Sequence, residues 1–311
     1  RTTVGTLYVQ TSPLEARKLG AALVSRRIAD LLDTQVRDKP REWRPLVYCW
    51  RGGQRSGSLA LVLSQIGFRT GQLQGGYKAF RARVRDDLAS RPAQFSYRVL
   101  CGRTGSGKTR LLQALRDSGA QVLDLEGLAH HRGSILGGLP ERPQPTQKRF
   151  DTRVWQALAG FSTAQPVFVE SESARIGSLR VPEALLQTMH AQGHCIRIHS
   201  SDTARIDMLL EDYHSSMLDA EPLCRLLDHL VELQGRERVK HWQALARGGR
   251  WPELIGDLMV QHYDPLYERS MRRSYPTLDQ APRVELRSGS DTDLADAAAQ
   301  VLGLTWPVPA T

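Results

Sequence analysis

One segment of the chain combines glycines, a lysine and a threonine in the spacing of a phosphate-binding loop. Glycines let successive backbone N–H groups turn toward phosphate oxygens, and the N-terminus of the following helix adds positive partial charge. The lysine bridges the outer phosphates, and the threonine hydroxyl can hold Mg²⁺. The pattern predicts a ligand with a diphosphate group, of which ATP is the commonest, and it specifies no reaction. The candidate phosphate-binding residues are Gly102, Gly105, Ser106, Gly107, Lys108 and Thr109.

An acidic residue ends an apolar run in the same part of the chain. Residues 166–170 read as a strand that ends in Glu170, and ligands of α/β sheets bind at the carboxyl ends of strands. Glu170 is therefore the first candidate to orient Mg²⁺, with an ordinary surface carboxylate as the alternative. Glu172, Asp124 and Glu126 are further candidates. The nine histidines show no HExxH spacing, so we expect no metal other than this Mg²⁺.

A second candidate site lies in the segment Cys49-Trp-Arg-Gly-Gly-Gln-Arg-Ser56. It follows a short apolar strand and precedes a predicted helix, so its backbone N–H groups, with Arg51 and Arg55 beside them, can surround the sulfur. An electropositive, partly exposed setting of this kind lowers a cysteine pKa. We expect Cys49 to be a reactive thiol, with a buried structural cysteine as the alternative. The other cysteines, which we expect to be structural, are Cys101, Cys195 and Cys224.

The elements that must position these loops alternate between strand and helix. This order predicts an α/β fold, with a parallel sheet covered by helices on both faces. The 311 residues exceed one ordinary domain, and Arg91-Pro92 marks the expected boundary, which gives domains at residues 1–92 and 93–311. Separated cysteines without a CxxC pair argue against disulfides and indicate a cytoplasmic protein. No apolar run is long enough for a transmembrane helix.

The positive charge is concentrated in the first third of the chain. The whole chain has a formal charge of +9, of which residues 1–95 contribute +10 and residues 96–311 contribute −1. Such a block can bind a phosphate backbone by releasing counterions. A solvated basic face that only aids solubility is the alternative, and charge alone does not choose between them.

Taken together, the two loops resemble those of one enzyme family. The cysteine loop, with Gly75-Gly76-Tyr77 downstream, resembles the active loop of rhodanese domains, and here it precedes a P-loop NTPase-like domain. This combination resembles the tRNA 2-selenouridine synthases over essentially the whole chain. The segments that carry the resemblance, besides the two loops, are Val4-Gly-Thr-Leu-Tyr8, Asp124-Leu-Glu-Gly-Leu-Ala-His-His-Arg-Gly-Ser134, Gln147-Lys-Arg-Phe150, Val169-Glu-Ser-Glu-Ser173 and Arg175-Ile-Gly177.

The resemblance implies a transferase that modifies tRNA in two steps. It would S-geranylate a wobble 2-thiouridine with geranyl diphosphate, and then replace the geranylthio group with selenium from selenophosphate. Cys49 would carry or accept the chalcogen, and the phosphate loop would bind the diphosphate. The family's opening rhodanese strand and its Asp-containing turn are absent here, so we expect the N-terminal part of the first domain to be missing. Ser171 stands where an acidic residue is expected.

Two other functions use the same loops. An ATP-dependent small-molecule kinase or sulfurtransferase would couple ATP hydrolysis to its activity and would have no affinity for tRNA. A non-catalytic nucleotide sensor would use its first domain only to bind a partner, which a reactive Cys49 argues against. The apolar pattern at residues 209–247 matches no known motif and is typical of core helices.

Overall fold

The computed structural model describes residues 2–133, 137–138, 142–213 and 220–306. The chain divides into two compact units, residues 1–85 and 86–311. The division lies upstream of the boundary expected at residue 92, because Pro92 is buried in the second unit. There its carbonyl accepts a hydrogen bond of 3.2 Å from the Tyr97 hydroxyl, and Arg91 donates to the Leu158 carbonyl at 3.3 Å.

The first unit consists of helices and a short parallel strand pair. Its elements are α1 (Thr2–Gln10), α2 (Pro13–Leu31), β1 (Leu46–Val47), α3 (Gln54–Ile66), β2 (Gly71–Gln72) and α4 (Gly76–Ser90), which continues into the second unit. Strands β1 and β2 pair in parallel. Val36, Val47 and Leu63 form the buried core. The connection from β1 to α3 is the cysteine loop, so the pattern of strand, loop and helix expected for it is confirmed.

The second unit is built on a parallel sheet in the order β4-β5-β3-β8-β9. Its strands are β3 (Tyr97–Cys101), β4 (Gln121–Leu123), β5 (Val167–Glu170), β6 (Arg175–Ile176), β7 (Leu179–Arg180), β8 (His194–His199) and β9 (Arg283–Glu285), of which β6 and β7 form a separate antiparallel pair. Its helices are α5 (Lys108–Asp117), α6 (Leu125–Ala129), α7 (Gln147–Gly160), α8 (Glu183–Gln192), α9 (Asp202–Tyr213), α10 (Ala220–Asp228), α11 (Val231–Gln234), α12 (Arg236–Arg247), α13 (Trp251–Leu258), α14 (Asp264–Ser274) and α15 (Asp291–Leu302).

Helices pack on both faces of this sheet. Leucines of α5 and alanines of α15 join one apolar cluster with Leu100 of β3 and Ile196 of β8. Val99 points to the other face, where it packs so closely against Gly193 at the end of α8 that a Cβ on Gly193 would lie 2.8 Å from Val99 Cγ2. The α/β fold with a parallel sheet and helices on both faces is therefore confirmed for the second unit.

The segment without a recognisable motif forms a helical layer. Helices α10, α12 and α13 bury Cys224, Trp242 and Leu254 in a cluster of their own, and the Trp242 indole donates to Asp257 at 2.6 Å. Part of the segment, residues 214–219, lies outside the described residues. Within the described residues, no helix has the length and apolar character needed to cross a membrane.

Candidate active sites

The phosphate loop connects β3 to the N-terminus of α5. Gly105 and Gly107 both have φ +77°, a left-handed conformation that glycine adopts without strain. A Cβ on Gly107 would overlap the Leu286 side chain, and one on Gly102 would overlap the Ser106 hydroxyl. The glycines predicted from the pattern are therefore required by the backbone conformation and by close packing.

Lys108 lies against the backbone of this loop. Its ammonium donates to the Gly102 carbonyl at 2.6 Å and to the Arg103 carbonyl at 3.2 Å, and it lies 5.7 Å from the centre of the Tyr267 ring. The loop thus combines a lysine ammonium with the positive end of α5, which is an arrangement that attracts phosphate groups.

Two glutamates accept hydrogen bonds from the hydroxyl of Thr109, and a third lies beside them. The Thr109 Oγ1 is 3.0 Å from Glu126 Oε2 and 3.3 Å from Glu170 Oε2, and the Glu126 backbone N–H donates to Glu170 Oε1 at 3.0 Å. Carboxylate oxygens of Glu126, Glu170 and Glu172 lie within 4.8 Å of one another. The structure therefore brings together Thr109 and three of the four candidate carboxylates, Glu126, Glu170 and Glu172, of which Glu126 is placed by the short helix α6.

Burial and mutual repulsion disfavour the charged forms of these glutamates. Burial and the nearby Glu172 charge raise the pKa of Glu126 to about 8, and burial and the Glu170 charge raise the pKa of Glu172 to about 7. Burial and the charge of Glu126 hold the pKa of Glu170 well above its ordinary value. Oxygen ligands of this type suit Mg²⁺, and a divalent cation would relieve the repulsion, so the residues fit the expected ion.

Asp124 has a different local role. Its Oδ1 accepts a hydrogen bond of 2.7 Å from the Gly127 backbone N–H, which caps α6, and its Oδ2 lies 3.5 Å from Arg116. The structure does not bring this carboxylate into the cluster of three glutamates. By capping α6, Asp124 instead fixes the helix that presents Glu126.

A cavity of about 480 Å³ adjoins the phosphate loop on the side of β8 and α14. Gly102 and Arg103 of the loop line it, with Tyr267 and Met271 of α14. Its size is within the usual range for small-molecule sites. No sequence pattern indicated it, because its walls come from segments far apart in the chain.

The cysteine loop curves around the thiol of Cys49. Gly52 and Gly53 have φ +76° and +73°, and α3 begins at the next residue. The Cys49 thiol donates to the Arg51 carbonyl at 3.3 Å, and the Ser56 hydroxyl donates to Cys49 Sγ at 3.4 Å. Arg51 thus contributes a backbone carbonyl.

These groups change the acidity of the thiol. Burial raises the pKa of the Cys49 thiol, but hydrogen bonds from the Ser56 hydroxyl and from the backbone N–H groups of Ser56 and Gly53, together with the charge of Arg55, outweigh burial. The pKa of Cys49 is therefore lowered from its ordinary value. In contrast, Cys101, Cys195 and Cys224 are all buried, and the structural role expected of them stays a prediction.

The Gly75-Gly76-Tyr77 turn holds the cysteine loop through backbone hydrogen bonds. The Tyr77 backbone N–H donates to the Cys49 carbonyl at 2.8 Å, and the Lys78 N–H donates to the Trp50 carbonyl at 3.0 Å. A Cβ on Gly76, which has φ +62°, would overlap the Cys49 carbonyl. Glycine at this position permits the close approach that holds the loop.

Comparison with known proteins finds one family. A family model for the tRNA 2-selenouridine synthase AAA domain matches residues 95–224. The tRNA 2-selenouridine synthase of Alcanivorax borkumensis is 35% identical over 269 residues, which cover 77% of this chain and 73% of that protein. The enzyme of Shewanella denitrificans is 39% identical over 299 residues, covering 86% and 79%.

Among solved structures, shikimate kinase from Bacteroides thetaiotaomicron matches with a TM-score of 0.29 and 14% identity, over 66% of this chain and 95% of that chain. The tRNA 2-selenouridine synthases have a higher sequence identity to this chain over a larger share of it, and they confirm the resemblance found in the motifs. The relatives are similar over most of both chains. The chain therefore belongs to the tRNA 2-selenouridine synthase family.

Proposed function

We propose that this protein is a transferase that synthesises 2-selenouridine in tRNA, by geranylating a wobble 2-thiouridine and then exchanging the geranylthio group for selenium. One observation carries the proposal. A single chain joins a phosphate loop with adjoining carboxylates to a cysteine loop that lowers the thiol pKa. Family membership supports this function, because the relatives bear the name of that activity.

We assign the geranylation step to the phosphate loop. The sulfur of 2-thiouridine bonds to C1 of geranyl diphosphate, the C1–O bond breaks, and its electron pair leaves with diphosphate. The N3 proton of the nucleotide passes to solvent. Lys108 and the backbone N–H groups of the loop stabilise the negative charge that develops on the leaving diphosphate. The cavity beside the loop is large enough for the geranyl chain, and Ile198, Tyr267 and Met271 supply apolar surface in a wall that also carries polar and charged side chains.

The three glutamates and Thr109 are the residues that would hold Mg²⁺ in this step. When bound, Mg²⁺ supplies positive charge to the diphosphate oxygens. Thr109 has no role as a nucleophile in this assignment, because the sulfur of the tRNA base is the group that attacks C1 of the geranyl chain.

We assign the selenium step to Cys49 in a rhodanese-like first domain. In the overall exchange, selenium from selenophosphate bonds to C2 and geranyl thiolate leaves. Water cleaves the Se–P bond, releasing phosphate. A thiolate is the nucleophilic form of cysteine, and the lowered pKa of Cys49 increases its population. The excess of positive charge in residues 1–95 supports tRNA as the partner, and a cytoplasmic location belongs to the same proposal.

The test is incubation of the protein with 2-thiouridine tRNA, geranyl diphosphate, selenophosphate and Mg²⁺, followed by nucleoside mass spectrometry. We expect selenouridine from the wild type, accumulated geranylated nucleoside from Cys49→Ala, and no product from Lys108→Ala. Matched controls are Ser58→Ala, an exposed substitution on α3, and Lys240→Ala, an exposed lysine on α12, both of which should behave as wild type. Unchanged nucleosides together with ATP hydrolysis would replace this function with a small-molecule kinase or sulfurtransferase.

A further inference from the structure

The side chain of Gln72 joins the cysteine loop from a neighbouring strand. Gln72 lies on β2, where it pairs with Val47 of β1, two residues before Cys49. Its amide nitrogen donates to the Gly53 carbonyl at 2.9 Å and to the Ser56 hydroxyl oxygen at 2.9 Å. Both N–H groups of the amide are therefore used on the loop, and the Gly53 carbonyl fixes which end of the amide faces it.

The hydroxyl of Ser56 has one proton and two acceptors within reach. Cys49 Sγ lies at 3.4 Å and the Gly53 carbonyl at 3.1 Å. Gln72 already donates to that carbonyl and to one lone pair of Ser56 Oγ, which favours the sulfur as the recipient of the hydroxyl proton. Ser56 is only 3% exposed, so bulk water does not compete for this proton.

We propose that Gln72 is a positioning residue of the cysteine site, whose amide directs the Ser56 hydroxyl proton toward the sulfur of Cys49. The inference deepens the proposed function, since it concerns the thiolate assigned to the selenium step. Without the Gln72 amide, the Ser56 proton is free to turn to the Gly53 carbonyl. The sulfur would then lose a donor, and its thiolate would become less stable.

Arg55 is the charged side chain whose charge acts on the thiolate, and the backbone N–H groups of Ser56 and Gly53 also stabilise it. None of these groups is removed by a substitution at Gln72. A change in the acidity of Cys49 that depends on both Gln72 and Ser56 would therefore report the hydroxyl alone.

The test measures the rate at which iodoacetamide alkylates Cys49 as a function of pH, by mass spectrometry of the peptide that contains it. We compare Gln72→Leu, Ser56→Ala and the double variant in the full chain. The midpoint of the curve of alkylation rate against pH gives the pKa of the Cys49 thiol. We expect each single variant to raise this midpoint by about one pH unit, which lowers the thiolate fraction near neutral pH about tenfold. The double variant should have the midpoint of Ser56→Ala, because Gln72 acts through that hydroxyl.

Two further variants guard against a purely structural effect. Gln72→Met keeps the length of the side chain and removes both donors, so it should reproduce the shift if Gln72→Leu does not fold. Gln74→Leu, an exposed change two residues along the chain, should leave the midpoint at its wild-type value. Ser56→Thr, which keeps the hydroxyl, should preserve it as well.

An unchanged midpoint in the Gln72 variants would overturn the inference, as would a shift that persists in the Ser56→Ala background. Alkylation requires neither tRNA nor selenophosphate. A protein that shows the expected midpoints but makes no selenouridine would therefore contradict the proposed function while supporting the role of Gln72.

Discussion

The three glutamates near Thr109 are buried close together, so their ionised forms are unfavourable. Glu126, Glu170 and Glu172 are close together and buried, and the pKa values of all three are raised. A raised carboxyl pKa means that the folded state binds protons more tightly than the unfolded state. The protein must therefore spend folding free energy to ionise the cluster, unless a cation balances its charge.

This imbalance predicts how stability depends on pH. In the presence of a chelator, the free energy of unfolding should be highest near the ordinary glutamate pKa. It should fall as pH rises toward the raised values of about 7 for Glu172 and about 8 for Glu126. We expect a loss of roughly 3–6 kcal/mol, or about 6–20 °C in Tm, between about pH 5 and pH 8, where the upper figure holds if Glu172 and Glu126 titrate independently. Differential scanning calorimetry at several pH values measures it.

Mg²⁺ and one substitution provide the controls for this prediction. Mg²⁺ should raise Tm more at high pH than at low pH, because only the ionised cluster attracts it. Glu170→Gln should flatten the pH dependence, whereas Glu232→Gln, an exposed change on α11, should not. An equal pH dependence in Glu170→Gln and the wild type would show that the cluster is not its source.

At the scale of elements, a buried arginine joins α9 and α14 to the phosphate loop. Arg205 is 1% exposed; it donates to the Thr104 carbonyl at 2.9 Å and forms a bidentate pair with Asp264, at 2.9 and 2.5 Å. Arg103 of the loop also contacts Asp264, at 3.5 Å. One carboxylate on α14 thus holds two arginines that position the loop.

Removing that carboxylate should be strongly destabilising. Asp264→Ala removes the bidentate partner of the buried Arg205 guanidinium and leaves it only the exposed Asp202 carboxylate, 3.0 Å away, which should cost about 3 kcal/mol. Asp279→Ala removes the partner of Arg197 in an ion pair whose carboxylate is 85% exposed, and should cost less than about 1 kcal/mol. Urea unfolding of both variants gives the comparison. Similar losses in the two would contradict the role assigned to Asp264.

The glycines that flank α5 allow a test of the loop without removing a charged group. Gly107→Ala should weaken binding of the proposed substrate, geranyl diphosphate, at least about tenfold, because its Cβ forces the loop away from Leu286 and from the helix N-terminus. Gly119→Ala carries a similar backbone strain, at φ +87°, but nothing lies within 4 Å of its Cβ. Isothermal titration calorimetry should show near wild-type affinity for this control. Equal weakening in both variants would indicate strain alone.

The local elements of both sites could be predicted from the sequence, because each is encoded in a short segment. The strand before Gly102, the helix after it and the end of α3 at Gly67, with φ +112°, follow from glycine placement and apolar runs. The pairing of Arg205 with Asp264 joins residues 59 positions apart, and Gln72 on strand β2 reaches Ser56 on helix α3. Such contacts depend on tertiary packing, which no local pattern contains.

Helix α1 was also not predicted, for a related reason. Its sequence, with β-branched residues and Gly5, has low intrinsic helix propensity, and it forms in contact with α2, where Gly20 approaches Val4. Glu126 was a lesser candidate because it does not end a strand. Its place in the cluster depends on α6, a five-residue helix capped by Asp124.

At the scale of the whole molecule, the two units differ in charge as well as in chemistry. The +10 balance lies in residues 1–95, and the remainder of the chain is close to neutral. Four of these cations are exposed on α2, namely Arg17, Lys18, Arg26 and Arg27. If the first unit supplies the phosphate contacts to tRNA, substitutions there should change the salt dependence of binding and not only the affinity.

The salt dependence of tRNA binding tests this division of labour. Replacing Arg17 and Arg26 with glutamine should weaken binding and reduce the slope of log K against log salt by about 1.5, since each lost phosphate contact removes about 0.7–0.9. Replacing Arg225 and Arg236, exposed arginines on α10 and α12, applies the same charge change to the second unit and should leave the slope unaltered. Fluorescence anisotropy at several salt concentrations measures both. An equal reduction in the two double variants would place the tRNA contacts across both units, and the concentration of charge in the first would then reflect solubility.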